Sequence, residues 1–425
     1  MLDLIVRNAN LPDGRKGLDI AVADGQIAEI ATGIKAEADR EIDATGRLVT
    51  PPFVDSHFHM DSTLSLGQPR LNESGTLLEG IALWGELTPL LTVDAIKQRA
   101  LELCHWSIAR GVLAIRSHVD VSDDSLLAVN ALLEIREEIK PYIDLQLVAF
   151  PQDGYYRHLG SAANLERALD MGVDVVGGIP HFERTQKQGA ASIKALCELA
   201  AGRGLQVDMH CDESDDPLSR HIETLSFHTQ RLGLQNRVTG SHLTSMHSMN
   251  NYYVSKLIPL MAEARVHVVA NPLINITLQG RHDTYPKRRG MTRVKELMQA
   301  GINVAFGHDA LMDPWYSLGS YDMIEVAHMG LHVAQMTSVD QMRQMFAAVT
   351  TNGARALGIE NYGIEPGCNA DIVILQASDA QEALRLKPAR LFVIRRGTVI
   401  AETSPVVSRL ELADRTVVVD FRWPK

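Results

Sequence analysis

Apolar and polar positions alternate with a short period at both ends of the chain. LDLIVRNA, LDIAVADGQIAEI and REIDATGRLVTP read as strands and turns within residues 1–50, and NADIVIL, RLFVIRRGTVIAE and RTVVVDF read the same way within 361–425. Over 51–360 the texture changes. Apolar runs at Leu48–Val54, Val112–Ile115, Asp144–Phe150, Val173–Ile179, Leu205–Met209, Arg237–Gly240, Val266–Ala270 and Asn303–Phe306 are separated by helical patterns such as TVDAIKQRALELCHWSIARG and ASIKALCELAAGRG. MTRVKELMQAGINV (291–304) reads as an amphipathic helix leading into the last run. Strands alternating with helices predict an α/β fold: a closed (β/α)8 TIM-like barrel over 51–360, with 1–50 and 361–425 joined in a small β-sandwich domain. An open doubly wound sheet is the competing architecture. Against it, His57, His59, His118, Gln152, His181, His210, His242, Asn271 and Asp309 fall at or just past the C-terminal ends of the expected strands, the face on which barrel enzymes build their sites.

Composition narrows the class. The 425 residues are 45% hydrophobic with a net charge of −11, which suits a globular enzyme and argues against a chain built to hold nucleic acid or anionic membrane. No signal peptide is read at MLDLIVRNAN, and no apolar run is long enough to span a bilayer. Cys104, Cys197, Cys211 and Cys368 lie far apart with no CxxC pair, which points to reduced thiols in the cytoplasm.

Several strand ends carry residues suited to metal chemistry. In Asp55-Ser-His57-Phe-His59 the two imidazoles share a side of the strand. His210 ends the fifth run, with Glu213 three residues beyond; read alone, Glu213 is better taken as a carboxylate at a helix N-terminus. Cys211 has no paired base and reads as a small buried residue. Ser241-His242 ends the sixth run and Phe306-Gly-His308-Asp309 the eighth. Three neutral imidazoles and a carboxylate suit Zn²⁺ or Fe²⁺ better than Mg²⁺ or Ca²⁺, and such an ion brings the pKa of a water toward ~7. Tyr285-Pro-Lys-Arg-Arg289-Gly reads as a surface or interface loop, and His247 has no spacing partner.

HFH, HCDE, SHLTSMHS and FGHD together resemble the amidohydrolase superfamily. SGTLLEG (74–80), RSHVDVSD (116–123), VAFPQ (148–152), GGIPHFE (177–183), NPLINITLQGRHDTYPKRRG (271–290) and DPWYSLG (313–319) extend the resemblance to its bacterial cytosine deaminase branch. HxH is common across the superfamily, whereas the run over 271–319 is far more specific. The resemblance implies that His57, His59, His210 and Asp309 bind one divalent transition metal per chain, zinc or iron. It also implies catalytic roles for Glu213, His242 and Asp309. Glu213 would protonate the ring nitrogen beside the attacked carbon, and His242 would orient the attacking water and help to deprotonate it. Gln152 would read the base edge, with the Leu77 backbone, Phe150 and Trp315 lining the pocket. The implied activity is deamination of cytosine or 5-methylcytosine, a small-molecule nucleobase, by a homo-oligomer, commonly a hexamer. The His/Cys/Cys deaminases pair HxE with PCxxC, and no PCxxC occurs in this chain, so polynucleotide substrates are not expected.

Alternatives within the fold are deamination of isoguanine or creatinine, hydrolysis of a cyclic amide, and a catalytically dead scaffold. Cyclic-amide hydrolases of this resemblance bridge two metals with a modified lysine after the fourth strand, where this chain reads VVGGIPHFE. In one respect the chain departs from the cytosine deaminase pattern. The residue after the metal-site aspartate is usually a second acid, and here it is Ala310. The expectation is apolar room beside C5 of a pyrimidine, unless Leu311 or Met312 refills it.

Overall fold

The computed structural model describes residues 2–422. Strands β1 (Leu2–Ala9), β2 (Leu18–Ala23), β3 (Gln26–Ala31) and β4 (Ala38–Asp43) form a sheet in the order β3-β2-β1-β4. The apolar run expected as the first barrel strand, Leu48–Val54, is two strands. Pro51 and Pro52 have no N–H for a ladder. The segment therefore breaks there: β5 (Leu48–Thr50) joins an outer sheet and β6 (Phe53–Phe58) enters the barrel.

The barrel continues through β7 (Val112–Asp120), β8 (Asp144–Phe150), β9 (Val175–Gly178), β10 (Gln206–Cys211), β11 (Val238–His242), β12 (His267–Ala270) and β13 (Val304–Phe306), parallel neighbours in chain order with helices between them. The expected (β/α)8 barrel is the observed fold. Its last seam closes where Asp309 N–H donates to His57 O at 2.8 Å and His59 N–H donates to Asp309 O at 2.9 Å. Gly307 makes this approach possible, because a Cβ there would stand 2.5 Å from Asn271 Oδ1 and 2.6 Å from His57 O. The closure places residues from the first and last strands side by side.

Two expected boundaries move. β7 runs five residues past Ile115, through Arg116 and His118 to Asp120, and every residue in it is buried. A charge reads as a strand end, but Arg116 points into the barrel and donates to Asp208 at 2.9 Å. Within 291–304 only Val294–Gln299 is helical. Arg293, just before the helix, donates to Met246 O at 2.8 Å and Met249 O at 2.7 Å, and its backbone is not helical.

After the barrel come β14 (Ile372–Leu375), β15 (Arg390–Arg395) and β16 (Thr398–Glu402), which make a sheet with β5 in the order β16-β15-β14-β5; β17 (Ser408–Glu411) and β18 (Thr416–Val419) form a separate hairpin. Side chains alternate across β14. Val373 and Leu375 join the barrel's apolar core, while Ile372 and Ile374 join Leu4, Val6 and Ile20. From that second, shared core we infer that 1–50 and 361–425 fold as one β domain beside the 51–360 barrel; Met1 and residues 423–425 lie outside the described residues. No helix among the described residues is long and apolar enough to cross a membrane.

Candidate active site

His57 is the next-to-last residue of β6 and His59 the first beyond it, so His57 lies within the strand and not after it. His210 comes from β10, and Asp309 follows β13 in a left-handed conformation at φ 71°. One donor atom from each of these four residues lies within 4.8 Å of all the others. His57 Nε2 and His59 Nε2 stand 3.5 and 3.6 Å from Asp309 Oδ1, and His59 Nε2 is 2.9 Å from His210 Nε2.

Burial pushes the imidazoles of His57 and His210 well below the usual histidine range and that of His59 down to about 4, so all three are neutral at physiological pH. Both ring nitrogens of His57 and Nδ1 of His210 are buried without a hydrogen-bond partner. A buried polar atom left unpaired costs ~1–3 kcal/mol. Converging neutral lone pairs beside a carboxylate are the donor set that suits zinc or iron. The residues present therefore fit a divalent transition metal.

Glu213 and His242 stand beside this cluster. Asp212 turns the chain after β10 with φ 53°, and its carboxylate accepts from Ser219 Oγ at 2.7 Å, His221 N at 3.0 Å and Ile222 N at 2.9 Å. The next helix begins only at His221, so Glu213 is not a helix N-terminal carboxylate. Glu213 Oε1 is 3.4 Å from His242 Nδ1, which is 3.8 Å from Asp309 Oδ2. Burial, together with the nearby Asp309, raises the Glu213 carboxyl well above the carboxylate range, so it holds a proton where an ordinary glutamate has lost it.

These groups open onto a cavity of about 710 Å³ whose wall includes Leu77, Gln152, Ala310 and Trp315. Trp315 is pressed onto the helix Leu77–Leu87 at Gly80, where a Cβ would stand 2.3 Å from the indole. Phe150, expected in the pocket lining, stands behind it and stacks on His210 with ring centroids 4.1 Å apart. Neither Leu311 nor Met312 reaches the wall; Leu311 packs toward Gly319. Cys211 is buried. In the basic run, Arg288 is tied to Asp283 and Ser248 at 2.7 Å, and Arg289 N–H meets His247 Nε2 at 3.4 Å, a partner the sequence spacing did not suggest.

Three neighbours of the cluster were not singled out for a role from the sequence. His118 packs on His57 with ring centroids 4.1 Å apart, and the amides of Asn271 and Asn275 face His242 at 3.2 and 3.0 Å. The i, i+4 spacing of the two asparagines at the start of a helix was the available signal.

A family model described as "Amidohydrolase family" matches residues 40–417. The chain belongs to the amidohydrolase family. This amidohydrolase is similar to a 5-methylcytosine deaminase from Klebsiella pneumoniae, solved with 5-fluorocytosine. The two share 41% identity over 97% of this chain and all of the other, with a TM-score of 0.93, which bears out the resemblance to the cytosine deaminase branch. It is also 31% identical to the N-isopropylammelide isopropyl amidohydrolase of Pseudomonas sp. (strain ADP), over 96% of this chain and 99% of the relative. A pterin deaminase of Rhizobium rhizogenes is 28% identical over 94% and 91% of the two chains. Family and site together make the protein a metal-dependent hydrolase of C–N bonds.

Proposed function

We propose that this amidohydrolase deaminates a free pyrimidine base, and that 5-methylcytosine is at least as good a substrate as cytosine. The observation that carries the reading is Ala310. It lines the cavity directly after Asp309, and neither Leu311 nor Met312, the two residues that could refill the space, is in the wall. A methyl group on C5 fits such an apolar recess, and burying one contributes ~0.8 kcal/mol. The 41% identity to a 5-methylcytosine deaminase supports the same choice.

In this reading His57, His59, His210 and Asp309 hold one zinc or iron ion. When bound, the ion supplies the positive charge that brings a water toward ionisation at neutral pH. His242 orients the attacking water and accepts or returns its proton. The water oxygen adds to the carbon bearing the exocyclic amine while Glu213 protonates the adjacent ring nitrogen. The C–N bond then breaks, with Glu213, His242 and Asp309 sharing the proton transfers that let nitrogen leave as ammonia. Gln152 reads the carbonyl and ring edge, the Leu77 backbone and Trp315 bound the ring, and Phe150 acts from behind by fixing the plane of His210. The same reading takes the partner to be a small nucleobase, the setting to be the cytoplasm, and the enzyme to be a homo-oligomer, hexameric by resemblance.

The test is ammonia release from cytosine, 5-methylcytosine, isoguanine and creatinine. The expected order places 5-methylcytosine at or above cytosine in kcat/KM, and Ala310→Asp shifts preference toward cytosine by ~10–200-fold, the range over which one methyl is discriminated. A strong wild-type preference for cytosine, or no shift in the variant, overturns the methyl assignment. If isoguanine or creatinine has the highest kcat/KM of the panel, the pyrimidine assignment falls.

Gln152→Ala is expected to raise KM and weaken discrimination among bases while metal content stays unchanged, because it leaves a ring-edge hydrogen bond unmade. Unchanged kinetics on every base would remove Gln152 from substrate recognition.

A further inference from the structure

The helix Leu77–Leu87 carries two interior glycines, Gly80 and Gly85. Glycine forms helices less readily than any residue but proline, because it has the most backbone freedom to lose. The two differ in what surrounds them. At Gly85 a Cβ would meet nothing within 4 Å. At Gly80 it would stand 2.3 Å from Cδ1, 2.5 Å from Nε1 and 2.9 Å from Cγ of Trp315. Carbon atoms in contact normally stand ~3.5–4.0 Å apart, so a methyl here would displace the indole by more than ~1 Å. Gly80 is a notch in the helix, and the ring lies in it.

Neither backbone at this contact is free to retreat. On the helix side, Leu83 and Leu87 are buried, and Trp84 Nε1 donates to the buried Asp120 at 2.8 Å. On the other side, the backbone N–H groups of Trp315 and Tyr316 each donate to Asp313 Oδ1 at 2.9 Å. Asn72 Nδ2 ties the two together, donating to Thr76 O at 3.1 Å and to Pro314 O at 3.0 Å. What can move is the side chain. Trp84 stands near it on the helix, with ring centroids 6.1 Å apart, and its open side is the cavity it lines.

We propose that Gly80 is a positioning residue: by seating the indole in the helix, it sets how far Trp315 projects into the cavity and so the width left for the base. The kinetic consequence rests on the deamination reading; the seat is a property of the chain whatever the substrate.

Gly80→Ala in the holoenzyme tests this with one methyl group. For every base the wild type deaminates, kcat/KM is expected to fall by ~10-fold or more, the scale on which one methylene is felt in a binding pocket. The loss should lie chiefly in KM, because room for the base is taken while Glu213, His242 and the metal ligands are untouched. Gly85→Ala, in the same helix but in open space, is expected to keep wild-type kcat and KM and to unfold at a slightly higher temperature. In Trp315→Ala there is no ring to displace, so adding Gly80→Ala should alter neither KM nor kcat further; the two effects are then not additive. A crystal structure of Gly80→Ala, with the indole displaced toward the cavity, reads the seat without reference to activity. Wild-type KM in Gly80→Ala, a loss confined to kcat, an equal loss in Gly85→Ala, additive losses in the double variant, or an undisplaced indole overturns the proposal. Should Gly80→Ala fail to fold, the double variant decides it, since it must fold at least as stably as Trp315→Ala. Should no base in the panel release ammonia, the deamination reading falls and the crystal structure decides the seat alone.

Discussion

Stripping the enzyme with a chelator is expected to abolish turnover, and zinc or iron at about one ion per chain to restore it, as for a catalytic site with an open position. The reason lies in the geometry: without an ion, His57 and His210 keep buried ring nitrogens that nothing in the fold satisfies. Because the ion binds a site that only the folded chain assembles, removing it should also lower the unfolding midpoint. Metal analysis, activity and thermal unfolding of the same preparations check all three effects. Full activity in metal-free protein would overturn the assignment, and two tightly held ions would overturn its mononuclear form. Among the described residues, β9 supplies only Val175, Val176, Gly177 and Gly178, with no lysine to bridge a pair.

Glu213→Gln is expected to lower kcat by ~10²–10⁴-fold, the usual contribution of a positioned acid–base group, while metal and fold are retained. The amide preserves shape and hydrogen-bonding capacity but cannot pass a proton. The raised carboxyl also predicts a pH dependence. The folded state binds this proton more tightly than the unfolded chain does. Its contribution to stability is therefore full below the ordinary carboxylate range and is lost as pH rises through the raised value. The same deprotonation removes the acid needed in the reaction, so wild-type kcat should decline on the alkaline side. Glu213→Gln should lose both dependences. Near wild-type turnover in the variant would return Glu213 to a structural role.

The legible and the illegible parts of this molecule divide along a physical line. A period-two alternation at both ends and apolar runs separated by helical patterns in the middle are local properties, and they were enough for the barrel. Local reading went wrong where a distant partner changed the meaning of a residue. Arg116 looked like a strand end because its ion-pair partner, Asp208, is 92 positions away. The break at Pro51-Pro52 could be seen in the sequence, but that Leu48–Thr50 pairs with Ile372–Leu375 could not.

The site divides in the same way. Imidazoles and carboxylates at successive strand ends announced metal chemistry, and HCDE, FGHD and the run over 271–319 were specific enough to identify the family. Which nitrogen faces which donor was outside that reach. Phe150 was expected at the pocket wall and stacks behind His210, because strand residues that share a face still differ in depth along the barrel axis. His118 joined the cluster only because β7 runs past Arg116. By itself, then, the sequence determined the barrel, the family and the set of residues capable of the chemistry, since each follows from local periodicity and residue type. The closed seam between His57 and Asp309, the proton kept on Glu213 and the asparagine pair against His242 were decided by the tertiary structure alone, because each depends on desolvation and on contacts between segments brought together only when the barrel closes.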